Sequence, residues 1–362
     1  MALADGGFPG EIIVATTSAA LGAEVRRMAG ARIGTTIEHI ELAVSAASRR
    51  IDSLAGRLVP ARKLLVYKDN IAFFRGLDVL VVTEKASLAL KRLGLTDLRI
   101  IHTRHGAGDR AIGFDAASAA FDHVLCSGPK IRDRLIRQAG VCPRTISVIG
   151  YPKFDLVRNA QPIRYLPTAG TVVLYNPHPA PHLSSWYRHG HAVFEQLARN
   201  DRLGLLFAPH VMLFQRGLVV TIDPPAVARP GRLPDRFLRG DRVKVDLGSR
   251  ASTDMRYTMA SDVYLGDASS QVYEFLIKPR PCIFLNSGGH AWRDNPDFLH
   301  WTAGEVIDCP SQLSQALARA DELHATRYAD VQERLFADTF DLDERPSAVR
   351  AATVVADFAG CY

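Results

Sequence analysis

The stretch Ser261-Asp-Val-Tyr-Leu-Gly-Asp-Ala-Ser-Ser-Gln-Val-Tyr-Glu-Phe-Leu-Ile-Lys-Pro-Arg-Pro-Cys-Ile-Phe-Leu-Asn286 decides the fold class of this 362-residue chain. Its apolar runs at 263–265 and 282–285 have the length and composition of strands buried on both faces. Between them, Ser269 and Ser270 supply the oxygens that helix N-termini use as caps, and Lys278-Pro279 ends the helix. The segment therefore predicts a strand–helix–strand unit of a parallel sheet.

The turn after the first of these strands is a candidate phosphate site. Its backbone N–H groups and hydroxyls gather at the carboxyl end of a strand, where α/β proteins hold phosphates. An ordinary capped helix in a β-α-β unit explains the same residues, so spacing alone leaves both interpretations open. The candidate residues in this turn and its helix are Asp267, Ser269, Ser270 and Glu274.

The rest of the chain alternates strand-like and helix-like segments in the same way. This alternation, over a length too great for one small core, predicts an α/β fold of two Rossmann-like domains. We expect their parallel sheets to face a central cleft. A polar, proline-bearing connection at 159–170 leads to a division into domains 1–160 and 161–362.

Composition narrows the class of protein. Hydrophobic residues make up 47% and charged residues 23%, which is ordinary for a soluble globular protein. No apolar segment approaches the ~20 residues of a membrane span, and the N-terminus lacks the pattern of a signal peptide, so we expect a cytoplasmic protein. The five scattered cysteines include no Cys-x-x-Cys pair, which argues against a disulfide framework or a zinc site.

The formal net charge of +6 predicts an anionic partner, such as a nucleotide, a phosphate-bearing polymer or acidic lipid. Because the arginines are dispersed and no nucleic-acid motif is present, we do not expect nucleic-acid binding. Residues 49–63 place apolar residues between Arg49-Arg50 and Arg62-Lys63. Either a helix that contacts anionic membrane or a solvated helix face fits this segment.

A second candidate site lies in His102-Thr-Arg-His-Gly-Ala-Gly-Asp-Arg110. A buried strand ends near Thr103, so we expect His105 to emerge at its carboxyl end beside Gly106. An imidazole with a pKa near neutrality can take a proton from an attacking hydroxyl, and Arg104 and Arg110 can hold anions. A structural loop histidine is the alternative.

A third candidate site combines His178 and His210, which follow two strands of the second domain. The i, i+4 spacing of His178 and His182 resembles a zinc-binding helix, but Pro179 and Pro181 exclude that helix. We therefore expect phosphate or nucleotide contacts here and no metal. Arg250 adds positive charge in a polar turn at 246–255, which plain helix capping explains equally well.

The chain resembles the CDP-glycerol glycerophosphotransferase family, whose members prime or polymerise teichoic-acid-like poly(glycerol phosphate) on a GT-B fold. The resemblance spans roughly residues 78–286, and its most specific part is the Asp-x-Ser-Ser element followed by Lys-Pro. The segments that carry it are His105-Gly106, Gly150-Tyr-Pro-Lys-Phe-Asp155, Ala208-Pro-His210 and 261–284.

The resemblance implies a transferase with His105 as general base. Ser269, Ser270 and the helix they open would bind the donor diphosphate, and His210 would help to bind the donor. The first domain would face the acceptor, a hydroxyl compound that could be lipid-linked, at the inner face of the plasma membrane. The donor would be a CDP-alcohol substrate, with no cofactor and no metal. A GT-B glycosyltransferase or epimerase that uses a UDP-sugar, and a non-catalytic binding protein for nucleotides or anionic polymers, remain open.

Overall fold

The computed structural model describes residues 1–48, 50, 61–104, 106–161, 163–167, 170–222, 224–238 and 241–360. The chain is an α/β protein built on parallel sheets, which confirms the predicted fold class. It divides into two compact units. The first unit comprises Met1–His105, Phe114–Asp155 and Phe340–Tyr362, and the second comprises Gly106–Gly113 and Leu156–Thr339. The C-terminal segment therefore groups with the first unit, whereas the predicted division placed it in the second.

The helices and strands of the N-terminal half are α1 (Ala2–Asp5), β1 (Ile13–Thr16), α2 (Ala19–Ala29), β2 (Glu38–Glu41), α3 (Ala61–Asp69), α4 (Ile71–Arg75), β3 (Val79–Val82), α5 (Ala89–Arg92), β4 (Arg99–Thr103), β5 (His123–Cys126), α6 (Pro129–Ala139) and β6 (Ile146–Val148). Those of the C-terminal half are β7 (Thr171–Asn176), α7 (Trp186–Arg199), β8 (Leu203–Phe207), β9 (Val219–Ile222), β10 (Pro225–Ala228), β11 (Val243–Val245), α8 (Arg256–Met259), β12 (Val263–Gly266), α9 (Gln271–Phe275), β13 (Cys282–Leu285), β14 (Glu305–Ile307), α10 (Leu313–Ala318), α11 (Ala320–Leu323), α12 (Ala329–Thr339) and α13 (Ser347–Ala359).

The first unit contains a parallel sheet in the order β3-β4-β5-β6, and β1 and β2 form a separate parallel pair. Successive residues of a strand face opposite sides of a sheet, and the neighbours Ile100 and Ile101 show this division. Ile100 packs into the core that contains Leu135 of α6. Ile101 packs on the other face in a cluster with Phe358 of α13. The C-terminal helix therefore covers one face of this sheet.

Asp155, at the end of the Gly150–Asp155 motif, caps the helix α13. Its Oδ1 accepts a hydrogen bond from the Ser347 backbone N–H at 3.1 Å, and its Oδ2 accepts one from the Ala348 N–H at 2.8 Å. Gly150 has a positive φ of 77°, and a Cβ there would collide with Ser347 and with the Asp341 carbonyl. The motif thus connects the end of β6 to the start of the C-terminal helix through packing and hydrogen bonds.

We predict that Asp155→Ala lowers the free energy of unfolding by about 1–2 kcal/mol, because two N–H groups at the start of α13 lose a charged acceptor. Urea denaturation measures the change, and faster hydrogen exchange at residues 347 and 348 locates it. The control is Asp97→Ala, which removes an exposed carboxylate of the same unit. Equal stability of the two variants would show that the cap contributes nothing.

The second unit is organised by a six-stranded parallel sheet in the order β11-β8-β7-β12-β13-β14, with β9 and β10 as a separate antiparallel pair. Its core contains aromatic side chains from strands and helix, among them Tyr175, Phe194 and Phe207. Because β8, β7 and β12 are adjacent and parallel, the segments that leave their carboxyl ends meet at one edge of the sheet. We call this the strand-end edge.

Some helices are short in the structure. The basic segment 61–75 forms the two helices α3 and α4, which are divided at Asn70, whose Nδ2 donates to the carbonyls of Ala43 and Val66, both at 2.8 Å. The helix predicted from Ser270 to Lys278 is only Gln271–Phe275. None of the helices within the described ranges has the length and apolar character needed to cross a membrane.

Candidate functional site

The strand-end edge of the second unit brings together three predicted site residues. Asp267 directly follows β12, His178 lies two residues after β7, and His210 lies three residues after β8. Asn176, the last residue of β7, donates from Nδ2 to the Ala208 carbonyl at 2.5 Å and joins the ends of β7 and β8. The parallel sheet therefore gathers residues that are up to 89 positions apart in the chain.

Asp267 is fully buried, and its carboxylate anchors the segment that follows β7. One oxygen accepts a hydrogen bond from the His178 backbone N–H at 2.8 Å. The other accepts from the backbone N–H and the hydroxyl of Ser185, at 2.6 and 3.0 Å. Burial raises the pKa of Asp267 to about 7, although these donors oppose the rise. We predicted that Asp267 contacts a ligand. In the structure both of its carboxylate oxygens accept hydrogen bonds from the protein, so Asp267 positions the segment after β7.

The two histidines present the same ring nitrogen as a donor. His178 Nδ1 accepts the Ala180 N–H at 3.0 Å, and His210 Nδ1 accepts the Met212 N–H at 3.3 Å. This geometry assigns the ring proton of each neutral imidazole to Nε2. The ring centroids are 6.1 Å apart. Burial lowers the pKa of His178 to about 3, with smaller contributions from His210 and Arg110. His178 is therefore a neutral donor at pH 7.

The two serines of the turn differ in their surroundings. Ser269 is buried, and its Oγ accepts the Gln271 N–H at 3.2 Å. Ser270 is exposed, and its side chain does not cap the helix. A Cβ at Gly108 would lie 2.8 Å from the Cβ of Ser270, and one at Gly106 would lie 3.3 Å from its Oγ. The glycines thus allow the loop 106–110 to pack directly on Ser270.

Asp109 ties the same loop to α9 and to a distant segment. Its Oδ2 accepts the Tyr273 hydroxyl hydrogen at 2.6 Å and the His300 backbone N–H at 3.1 Å. It also lies 3.1 Å from His300 Nδ1. All three residues are buried. No local signal in the sequence indicated this cluster, because His300 lies 191 residues from Asp109 and no spacing rule connects them.

Arg110 follows in this loop and is half-buried. Burial lowers the pKa of its guanidinium, and the charge of Asp297 opposes that shift. Within the part of the chain that the structure describes, its buried Nη1 has no hydrogen-bond partner. Since buried polar groups are normally paired, this nitrogen is a candidate donor to a bound ligand.

The remaining predicted residues have separate surroundings. Arg104 belongs to the first unit, where it lies 4.6 Å from the ring centroid of Phe114, and burial lowers its pKa to about 10. Arg250 is exposed and lies 3.6 Å from Asp254. Glu274 is buried in α9. His105, and residues 49 and 51–60 of the segment 49–63 that either contacts membrane or presents a solvated face, lie outside the described residues. Over the described ranges, no group of three or more acidic, histidine or cysteine side chains could hold a metal ion.

Comparison with known proteins identifies the fold of this chain. No family model and no curated protein matches the chain. A structure of the wall teichoic acid polymerase TagF soaked with CDPG matches with a TM-score of 0.59 and 14% identity, over 99% of this chain and 82% of that one. An S. aureus MnaA–UDP structure matches with a TM-score of 0.58 and 12% identity, over 97% of both chains.

A Listeria monocytogenes protein designated a UDP-N-acetylglucosamine 2-epimerase gives a TM-score of 0.57 and 11% identity, over 97% of both chains. At such low identities the comparisons establish the GT-B fold. Because a fold does not determine the reaction, the function has to be argued from the site.

The half-buried, neutral His178 predicts an acid-dependent stability. The pKa of this group is lowered from its ordinary 6.5 to about 3. Between these two pH values the unfolded chain binds a proton at His178 that the folded chain does not bind. Stability from this group is complete above pH 6.5 and is lost as pH falls toward 3. Acidification from pH 7 to pH 5 should cost on the order of 2 kcal/mol at this residue.

The raised pKa of Asp267 acts in the opposite direction between pH 3.8 and about 7, so a variant comparison is needed. His178→Asn keeps an acceptor for the Ala180 N–H and removes the titration. Urea denaturation at pH 7 and pH 5 should show a smaller acid loss for His178→Asn than for the unsubstituted protein. Equal losses would mean that His178 titrates normally in the folded chain.

Proposed function

We propose that the protein is a transferase that moves glycerol phosphate, or a related alditol phosphate, from a CDP-alcohol to an acceptor hydroxyl in cell-surface polymer synthesis. The observation that carries this proposal is the set of donors at the strand-end edge. It consists of the Nε2–H group of His178, the Nη1 of Arg110, which has no partner among the described residues, and the exposed hydroxyl of Ser270, and the His210 ring lies beside that of His178.

A diphosphate fits this set better than a neutral ligand. Its oxygens are strong acceptors, and the site offers donors with a single added positive charge from Arg110. The Asp267 carboxylate is turned to the Ser185 and His178 N–H groups and does not offer free negative charge to a ligand. Since α9 has only five residues, the turn N–H groups and Ser270 would contribute more than a helix dipole.

The proposed step is an in-line displacement at the phosphorus that carries the alditol. The acceptor oxygen forms a new bond to this phosphorus, and the bond from phosphorus to the bridging oxygen breaks to release CMP. His105 takes the acceptor proton, a role that comes from the family resemblance and from its place next to Gly106. Arg110 and the two imidazoles would stabilise negative charge on the departing CMP. Arg104 and Arg250 would hold further anionic groups, and Glu274 would support the donor turn.

The proposal needs no resident cofactor, since the CDP-alcohol is consumed as a substrate. The acceptor would carry a free hydroxyl, and a lipid-linked acceptor would place the protein at the inner face of the membrane. A UDP-sugar glycosyltransferase or epimerase is the second candidate. It is favoured by the MnaA–UDP and epimerase structures, which match this chain about as well as TagF does. A non-catalytic nucleotide-binding protein would bind the donor and release no CMP.

The first test is release of CMP from CDP-glycerol, with a polyol or lipid-linked acceptor present, by the unsubstituted protein and by His105→Ala. Loss of a general base should slow release by about 10²–10⁴-fold. His191→Ala, which removes an exposed histidine of α7, is the matched control and should retain full activity. UDP-N-acetylglucosamine should give neither UDP release nor epimerisation.

A fall of less than tenfold in His105→Ala would remove His105 from the role of base. UDP release or epimerisation without CMP release would establish the second candidate instead. Saturable binding of CDP-glycerol with no product at high protein concentration would leave the non-catalytic function.

A further inference from the structure

A pocket of about 580 Å³ lies in the second unit and uses none of the predicted site residues. Its walls come from the segment after β13, the start of β14 and the helical region that leads into α12. The lining includes Trp292, Arg293, Trp301, Glu305, Arg327 and Tyr328. The volume is within the range of small-molecule sites, about 300–1,000 Å³.

The charged groups at the pocket are Arg293, Arg327 and Arg319 and the carboxylates of Asp294 and Glu305, which leaves one excess positive charge. Arg319 forms an ion pair with Glu305, which neutralises that carboxylate. Arg293 and Arg327 are exposed, and among the described residues neither guanidinium forms an ion pair with a carboxylate. The field of all three arginines reaches the Tyr328 phenol. Two guanidinium groups therefore remain to bind an anion, and guanidinium groups suit phosphate oxygens.

Aromatic rings supply the rest of the wall. Trp301 is buried, whereas Trp292 and Tyr328 are half-buried. The Trp292 and Trp301 rings pack edge to face, with their centroids 6.1 Å apart. The Arg293 guanidinium lies 4.7 Å from the Trp292 ring centroid, and the Arg327 guanidinium lies 5.4 Å from that of Tyr328. Rigid aromatic faces beside arginines suit a ligand with both a ring and an anionic group.

The backbone around the pocket is irregular at two separate places. Residues His324–Tyr328 form a π-helical turn between α11 and α12, and this turn carries Arg327 and Tyr328. Asp294, also in the lining, has a positive φ of 58°. Single π-turns and positive-φ side chains cost free energy and occur frequently at functional sites. These departures point to selection for the pocket's shape.

We propose that this pocket binds a phosphorylated saccharide, with the sugar ring against Trp292 and Tyr328 and the phosphate at Arg293 and Arg327. Inorganic phosphate alone would leave most of the volume and the aromatic wall without contacts. A neutral saccharide would leave both guanidinium groups without an anion. The carboxylates of Asp294 and Glu305 offer acceptors for sugar hydroxyls. The inference does not depend on the proposed transferase activity.

Isothermal titration calorimetry with glucose 1-phosphate tests the proposal without turnover. The unsubstituted protein should bind it saturably, and both Arg327→Ala and Trp292→Ala should weaken binding at least tenfold. Arg334→Ala, an exposed arginine of α12 outside the lining, is the control and should bind normally. Arg293→Ala provides a second exposed substitution in case one variant folds poorly. Glucose and inorganic phosphate should each bind more weakly than glucose 1-phosphate.

Binding at the strand-end edge is distinguished by Arg110→Ala, which should retain full affinity for glucose 1-phosphate. No saturable heat up to 10 mM ligand, or unchanged affinity in Arg327→Ala and Arg293→Ala, would overturn the proposal. Loss of binding in Arg110→Ala alone would assign the ligand to the strand-end edge and would also overturn it. Tighter binding of AMP than of glucose 1-phosphate would replace the saccharide with a nucleotide.

Discussion

The buried carboxylate of Asp267 is the interaction on which the strand-end edge depends. Removing a carboxylate from water is costly, and the cost is offset here because His178 and Ser185 direct three donors at its two oxygens. The same bonds fix the course of the chain between β7 and α7. His178 is therefore held in place as a neutral imidazole with its Nε2–H as a donor. One buried carboxyl group thus arranges the residues that we propose as ligand donors.

A second constraint is the close approach of the loop 106–110 to Ser270. Only glycine fits at 108, because a Cβ there would come within 2.8 Å of the Ser270 side chain. Asp109 secures the same loop through Tyr273 and His300. Arg110 is consequently held with a buried nitrogen that lacks a partner among the described residues. Rigid positioning of this kind lowers the entropic cost of binding an anion, since the loop and the Arg110 side chain are already ordered before binding.

The sequence predicted the α/β class and the strand-end position of Asp267, His178 and His210, because buried runs and polar turns are local signals. It did not predict what these side chains do. Asp267 has the spacing of a ligand residue but serves as an internal anchor, since its donors come from residues 82 and 89 positions away. His300 and the aromatic pocket gave no local signal either. Gly150–Asp155 was noted only for its resemblance, whereas the structure shows it capping a helix near the C-terminus.

Calorimetric titration of CDP-glycerol into the unsubstituted protein and into Arg110→Ala tests most directly whether the strand-end edge holds a diphosphate. Arg216→Ala, which removes an exposed arginine of the same unit, is the control. The account predicts that Arg110→Ala weakens binding at least tenfold, that Arg216→Ala binds normally, and that cytidine without phosphates binds poorly to all three proteins. Equal affinity of Arg110→Ala and the unsubstituted protein would contradict it.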